Sequence, residues 1–189
     1  MLTLEQKNNN EIKFMEMLAK LNIDLTEITK LLDKIEYFDK PLSTQYSGVY
    51  PGGLCEYALR FAYELGALCN AYFPGVYSEE DVIKVALFKD IYRAAAYESY
   101  MKNVKDDTSG QWVTVPAYKT KEGSNRQVFG DIGFSSYMMI KDLVPLTTEQ
   151  IEAIVYSRIS DFAPDIYDVF RSYPLVTLTR MADMATLYI

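Results

Sequence analysis

The sequence predicts an all-α domain with one small β excursion, and three observations support this. Apolar residues recur at helical spacing along most of the 189-residue chain. Glycines, prolines and capping residues separate these periodic segments from one another. The composition changes over residues 103–129, where a polar, Gly-containing stretch surrounds a short run of strand-forming residues.

Residues 1–40 are predicted to form two amphipathic helices. An apolar stripe over residues 11–21 predicts the first helix. A second stripe follows, is capped by Asp24 or Thr26, and ends near Phe38, ahead of a Lys-Pro pair. These two helices are candidates for a subunit interface, because their place in the remaining helical core is not evident from the pattern.

Residues 41–189 are predicted to form the helical core of the same domain, because no linker or repeat divides residues 1–189. Ser78, with Asp81 three residues later, resembles a capping box. Around residues 105–128 we expect a small β-hairpin or flap. The predicted helices are residues 53–72, 79–100, 132–143, 148–159, 164–172 and 174–188.

Composition and charge restrict the function. The net charge of −7 argues against general nucleic-acid binding, which needs a basic face. No apolar run is long enough to cross a bilayer, and the first ten residues are polar, so we expect a cytoplasmic protein with no membrane partner. Cys55 and Cys69 lie on one predicted helix, too far apart for a mutual disulfide, and are expected to be reduced and buried.

Two sequence blocks follow a recognisable pattern in which histidine is replaced. Residues 43–58 read S-T-Q-Y-S-G-V-Y-P-G-G-L-C-E-Y-A and resemble S-T-x-Y-H-G-x-Y-x-G-G-L-x-x-H-S, with Ser47 and Tyr57 at the histidines. Residues 89–94 read K-D-I-Y-R-A and resemble H-D-[LI]-x-K-A. In this second block Asp90 is kept, whereas Lys89 replaces the histidine and Arg93 the lysine.

Three further blocks follow in the same order as in that pattern. Residues 130–135 resemble G-H-G-x-K-S, with Asp131 at the histidine. Residues 146–157 resemble a block that ends in histidine, where this chain has Ser157. Residues 180–184 read R-M-A-D-M and resemble H-x-A-D-M, so that Asp183 is kept and Arg180 replaces the histidine.

Together these blocks, over residues 41–188, resemble the HD phosphohydrolase family in its phage type. The resemblance implies an HD-domain-like helical bundle. Members of that family hold divalent metals with His and Asp side chains, and the metal activates water for attack on phosphorus. This chain has no histidine at all. The resemblance therefore implies an inactive relative, and we expect no catalytic residues, no metal and no cofactor.

Three hypotheses for function follow from the replacements. In the preferred one, Lys89, Arg93 and Arg180 take over the metals' electrostatic role and bind, without hydrolysis, a phosphate-bearing nucleotide or nucleotide second messenger. One concrete form is a phage sponge that sequesters a host immune signal in the host cytoplasm. Alternatively, Lys89–Asp183 and Arg180–Asp90 ion pairs plug the pocket of an interaction or structural module. The second alternative is a residual Mg²⁺-dependent phosphohydrolase on Asp90 and Asp183.

Several further residues are candidates for contact with the nucleotide. Tyrosine rings can stack on bases, and loops over a pocket often carry function. A pocket shared between protomers would bury more of the ligand, so we also expect a homo-oligomer. The complete set of predicted ligand-binding residues is Tyr46, Ser47, Tyr57, Lys89, Asp90, Arg93, Tyr118, Arg126, Asp131, Arg180 and Asp183.

Overall fold

The computed structural model describes residues 2–106, 108–122, 131–158 and 166–188. It is mostly helical with one two-stranded antiparallel sheet, so the predicted helical fold with a small β excursion is confirmed. In chain order the elements are α1 (Leu4–Leu18), α2 (Leu25–Lys34), α3 (Gly53–Tyr72), α4 (Glu79–Phe88), α5 (Tyr92–Ala96), β1 (Tyr97–Lys105), β2 (Trp112–Thr120), α6 (Ile132–Ile140), α7 (Thr148–Val155), α8 (Ile166–Ser172) and α9 (Pro174–Tyr188).

The two N-terminal helices pack into the core of the chain. α1 begins earlier than the stripe predicted, because Thr3 and Gln6 form a capping box ahead of it. Asp24 caps α2, as one of the two predicted alternatives, and α2 ends at Lys34, before Phe38. Phe14 and Leu18 of α1 and Ile28 and Leu32 of α2 are buried in the core, whereas Ile12 of the predicted stripe is 56% exposed. Both helices therefore have a place in the core of the chain, and the predicted subunit interface stays a prediction.

The turn into α3 explains the glycines that precede this helix. Gly48 and Gly52 have positive φ angles of +63° and +82°. A Cβ at Gly48 would lie 2.7 Å from the Cβ of Leu42, and one at Gly53 would overlap the carbonyl oxygen of Gly48. These glycines allow the loop to fold closely onto the start of α3. Close packing and positive φ angles therefore explain why glycine occurs at these positions.

The helix expected over residues 79–100 is interrupted. α4 begins at the predicted capping box of Ser78 and Asp81 but ends at Phe88. After a turn, the five-residue helix α5 follows, and the chain becomes extended at Tyr97. The interruption falls at Lys89 and Asp90, the first two residues of the second sequence block.

The β-hairpin begins earlier than predicted. β1 and β2 are antiparallel, with Tyr97 opposite Thr120 and Lys105 opposite Trp112. The expected region of residues 105–128 thus contains all of β2 but only the last residue of β1. Its final part, residues 123–128, lies outside the described residues.

The C-terminal helices were predicted in the right order but with different ends. α6 ends at Ile140, and α7 ends at Val155 and continues as a 3₁₀ turn over Tyr156–Arg158. The described part of α8 begins at Ile166, and the bounds of α9 match the prediction. Because α7 is short, its 3₁₀ turn places Arg158 next to the centre of α9.

The core is formed by apolar side chains from α1 to α4, α6, α7 and α9. Cys55 and Cys69 are free and buried on α3, as expected. Burial raises the pKa of Cys55 to about 12 and that of Cys69 to about 11, so both stay protonated at neutral pH. No helix among the described residues is long and apolar enough to cross a bilayer.

Candidate functional site

Six polar side chains from four parts of the chain meet between α3, α5 and α9. α3 contributes a tyrosine, the α4–α5 turn and α5 contribute two cations and a carboxylate, the 3₁₀ turn after α7 contributes an arginine, and α9 contributes a carboxylate. We call this group the charge cluster; its members are Tyr57, Lys89, Asp90, Arg93, Arg158 and Asp183.

Lys89 lies at the centre of the charge cluster and is completely buried. Its Nζ donates to Asp183 Oδ1 over 2.8 Å, to Tyr57 Oη over 3.0 Å, and to Asp90 Oδ2. The ammonium also lies 4.5 Å from the centre of the Phe61 ring. All three of its protons therefore have acceptors, as burial of an ammonium group requires.

Asp90 is held ionised by three cations. Its carboxylate accepts from Lys89, from Arg93 Nε over 2.6 Å and from Arg158 Nε over 3.2 Å. Burial opposes ionisation of this group, but the three cations outweigh burial and hold the pKa of Asp90 well below its usual range. The carboxylate is therefore a weak base at neutral pH.

Asp183 and Tyr57 complete the other side of the cluster. The Tyr57 hydroxyl donates to Asp183 Oδ1, which also accepts from Arg158 Nη2 over 3.0 Å. Burial and the neighbouring carboxylates of Asp90 and Asp183 raise the pKa of Tyr57 far above its usual range. The tyrosine therefore stays a neutral hydrogen-bond donor.

Arg158 belongs to the charge cluster but was not among the predicted residues. It bridges the two carboxylates with Nε and Nη2, and its side chain is 24% exposed, more than those of Lys89 and Arg93. Burial opposes its charge, yet the carboxylates of Asp90 and Asp183 raise its pKa above the usual value. The available signal was its position directly after Ser157, where the resemblance expects a histidine.

Arg93 was predicted to bind phosphate, but its guanidinium already forms hydrogen bonds within the protein. Besides Asp90, its Nη1 donates to the Leu42 carbonyl over 3.2 Å and to the Tyr97 hydroxyl over 2.8 Å. Burial opposes its charge, but Asp90 raises the pKa of Arg93. Arg93 therefore ties the loop before α3 and the start of β1 to the charge cluster.

Arg180 does not take the expected position beside Asp90. Its guanidinium lies over the ring of Phe170 on α8, 5.2 Å from the ring centre. The described ion pairs of Asp90 are with Lys89, Arg93 and Arg158. The expected Lys89–Asp183 pair is present, whereas Arg158 occupies the place that the sequence assigned to Arg180.

The remaining predicted residues have other surroundings. Tyr46 is 89% exposed and lies on the loop before α3 with Ser47, which is also exposed. Asp131 caps α6, where its carboxylate accepts from the Phe134 backbone N–H over 2.9 Å. Tyr118 on β2 lines a separate cavity of about 710 Å³. Arg126 lies outside the described residues.

The residues of the charge cluster do not fit a divalent metal of the kind that HD phosphohydrolases hold. A metal held by Asp90 and Asp183 would need the space between their oxygens, and the Lys89 ammonium contacts both. Arg158 also contacts both carboxylates and would repel a dication. Among the described residues, no three Cys, Asp or Glu side chains group together as candidate metal ligands.

Comparisons with protein-family models, with curated proteins and with solved structures found no match. The resemblance to HD phosphohydrolases stays a prediction from the sequence blocks. The interpretation of the site therefore depends on its geometry and charge.

Proposed function

We propose that this protein binds a phosphate-bearing small molecule without hydrolysing it, at the face of the charge cluster where Arg158 is partly exposed. The supporting observation is a charge imbalance: among the described residues of the cluster, three cations contact two carboxylates. An excess positive charge in a largely buried site is costly unless an anion or water compensates it. Of these cations, Arg158 has the most exposed side chain.

The chemistry of Arg158 favours a phosphate group. A guanidinium is planar and weakly hydrated, and it can donate two parallel hydrogen bonds to an oxyanion. The hydrogen bonds of Arg158 to the described residues come from Nε and Nη2, on the side facing Asp90 and Asp183. The proposed ligand contacts the remaining N–H groups of the same guanidinium, which the two carboxylates hold in place.

The state of the two carboxylates argues against hydrolysis by this site. Activation of water requires a general base with a pKa near the working pH, or a metal. The pKa of Asp90 is far below neutrality, and Asp183 accepts hydrogen bonds from Lys89, Tyr57 and Arg158. Asp90 is therefore a poor general base, and Oδ1 of Asp183 is already occupied by three donors.

The nucleotide part of the proposal comes from the resemblance to HD phosphohydrolases. Members of that family act on phosphorus, and an inactive relative with a positive site would retain such a ligand. The phage-like form of the sequence blocks extends the proposal to a sponge that removes a nucleotide signal from a host. Nucleotide second messengers are therefore a specific class of ligands to test.

The test is a binding measurement with a matched pair of variants. Thermal shift and calorimetry are carried out with inorganic phosphate, mono- and diphosphate nucleotides and cyclic nucleotides. A ligand at 100 times its dissociation constant stabilises the fold by about 2.7 kcal/mol. We expect binding to weaken at least about tenfold in Arg158→Gln, the loss of one charge-assisted hydrogen bond.

The control variant is Lys34→Gln, which removes one positive charge from the exposed end of α2. We expect it to bind like the wild type, and the ligand to be recovered intact after incubation. Equal affinity of Arg158→Gln and wild type would contradict the proposed site. Consumption of the ligand would contradict the absence of hydrolysis.

A second candidate function is a non-catalytic interaction or structural module with a plugged pocket. It is favoured by the complete burial of Lys89 and by the acceptors that its three protons already have. In that case the excess charge on Arg158 is compensated by water alone. A folded protein that shows no thermal shift across the whole panel would favour this candidate.

A further inference from the structure

The β-hairpin leaves apolar side chains and strand edges exposed. Tyr100, Met101 and Trp112 are 38%, 63% and 72% exposed. The sheet formed by the described residues has two strands, so each strand has one edge without a strand partner among them. A two-stranded hairpin is marginally stable in water, and a free edge is a template for another strand.

The two edges of the hairpin differ in their capacity to pair. β2 contains Pro116, which has no N–H and is typical of a strand edge that does not extend a sheet. β1 has no proline over Tyr97–Lys105 and keeps all of its backbone donors. The β1 edge is therefore the better surface for addition of a strand.

The charges on β1 are arranged so that the strand can pair favourably with an antiparallel copy of itself. Glu98, Tyr100 and Lys102 alternate along the strand and share one face. In antiparallel pairing of β1 with a second β1, a register centred on Tyr100 places each Glu98 opposite a Lys102. A register centred on Glu98 or on Lys102 would place like charges opposite each other, which destabilises a sheet.

We infer that the β1 edge binds a second copy of this chain, antiparallel and in the register centred on Tyr100. The interface is symmetric, because the same edge of both protomers takes part. It joins the two hairpins into a four-stranded sheet, with the two Tyr100 rings side by side between two Glu98–Lys102 pairs. This inference does not depend on the proposed ligand.

A charge exchange tests the interface and its register. Mass is measured by light scattering and sedimentation over a range of protein concentrations. Wild type is expected to dimerise, and Glu98→Lys or Lys102→Glu is expected to weaken the dimer about tenfold, because symmetry creates two like-charge contacts. The double exchange, in which Glu98→Lys and Lys102→Glu are combined in one chain, restores opposite charges at both contacts. It is expected to restore the dimer.

Glu98 also pairs with Lys119 within the hairpin, over 3.1 Å. Lys119→Gln removes this internal pair and changes no residue of β1, so it is expected to dimerise like the wild type. Circular dichroism checks that each variant is folded. A protein that is monomeric at all concentrations, or a double exchange that does not restore the dimer, would overturn the inference.

Cysteine cross-linking gives a second measurement of the register. The native cysteines are buried on α3, so an added surface cysteine is the reactive thiol. Tyr100→Cys is expected to form a disulfide-linked dimer on mild oxidation, because position 100 faces itself across the interface. Met101→Cys would face Ser99 of the second copy and is expected to cross-link poorly. The opposite ranking of the two variants would overturn the register.

Discussion

Lys89 shows at the scale of one residue how a charged side chain is accommodated in this core. An ammonium group without partners would be strongly destabilising at a fully buried position. Here two carboxylates and the Tyr57 hydroxyl accept its protons, and the Phe61 ring lies beside it. Lys89 therefore joins the α4–α5 turn to α3 and α9, but the same contacts leave little of its charge for a ligand.

Replacement of Lys89 by methionine is expected to destabilise the protein by about 3–5 kcal/mol, because it leaves the carboxylates of Asp90 and Asp183 buried with one cation fewer. Urea unfolding of the variant measures the change. The control is Lys84→Met, at a buried lysine whose ion-pair partner Glu80 is about half exposed. We expect this control to lose less than about 1 kcal/mol. Equal losses would contradict a special role for Lys89.

The ionisation of Asp90 predicts sensitivity to acid. Its pKa is lower in the folded protein than the value of about 3.9 in an unfolded chain, so its carboxylate stabilises the fold above about pH 4. This contribution is lost as the pH falls below 4 towards the folded-state pKa.

The corresponding measurement is the free energy of unfolding between pH 6 and pH 2. We expect it to fall less steeply in Asp90→Asn than in wild type, because the amide does not titrate. Asp33→Asn, on the exposed side of α2, is expected to keep the wild-type slope. The same slope in Asp90→Asn and wild type would show that the acid sensitivity comes from other groups.

At the scale of elements, two features shape the surroundings of the site, namely the break after α4 and the close crossing of α6 and α7. α4 ends at Phe88, and the turn that follows it carries Lys89 and Asp90, which are both buried. α6 crosses α7 closely at Gly133, where a Cβ would overlap the carbonyl oxygens of Ile154 and Val155. This crossing sets the position of the 3₁₀ turn that carries Arg158.

Gly133→Ala is therefore expected to destabilise the protein by about 1–3 kcal/mol, because the added methyl group forces α6 and α7 apart. Gly66→Ala is the matched control within α3. A Cβ there would have its nearest neighbour, a Val82 methyl group, at 3.8 Å, an ordinary contact distance. The control is expected to gain about 0.5–1 kcal/mol from helix propensity. Thermal or urea unfolding of both variants is the measurement, and a neutral Gly133→Ala would contradict the tight crossing.

At the scale of the whole molecule, the protein is acidic while its charge cluster has an excess of positive charge. The chain carries a net charge of −7, so its overall field repels polyanions. A small anion that reaches Arg158 would interact mainly with the local excess charge. This difference favours a small phosphate-bearing ligand over a nucleic acid.

We accordingly expect no retention of the protein on a heparin column and no shift of duplex DNA in a gel, even at about 50 mM salt, where such binding is strongest. The same preparation is tested for small nucleotides as described above. Retention on heparin that falls steeply with salt would point to a basic surface and contradict the choice of a small ligand.

Local sequence patterns predicted the helical class, most helix starts and the presence of a hairpin. These features depend on local patterns, since caps such as Ser78 with Asp81 and apolar spacing act within a few residues. It also singled out Lys89, Asp90, Arg93, Asp183 and Tyr57, which the structure brings together.

The cation that completes the charge cluster depends on how the helices pack and could not be predicted from the sequence. Arg158 and Arg180 are 22 positions apart, and no local pattern distinguishes their distances to Asp90. The short α7 and its 3₁₀ turn bring Arg158 to both carboxylates, while α9 directs Arg180 to Phe170. The break after Phe88 was also missed, because the apolar pattern continues past it and no glycine or proline marks it in the sequence.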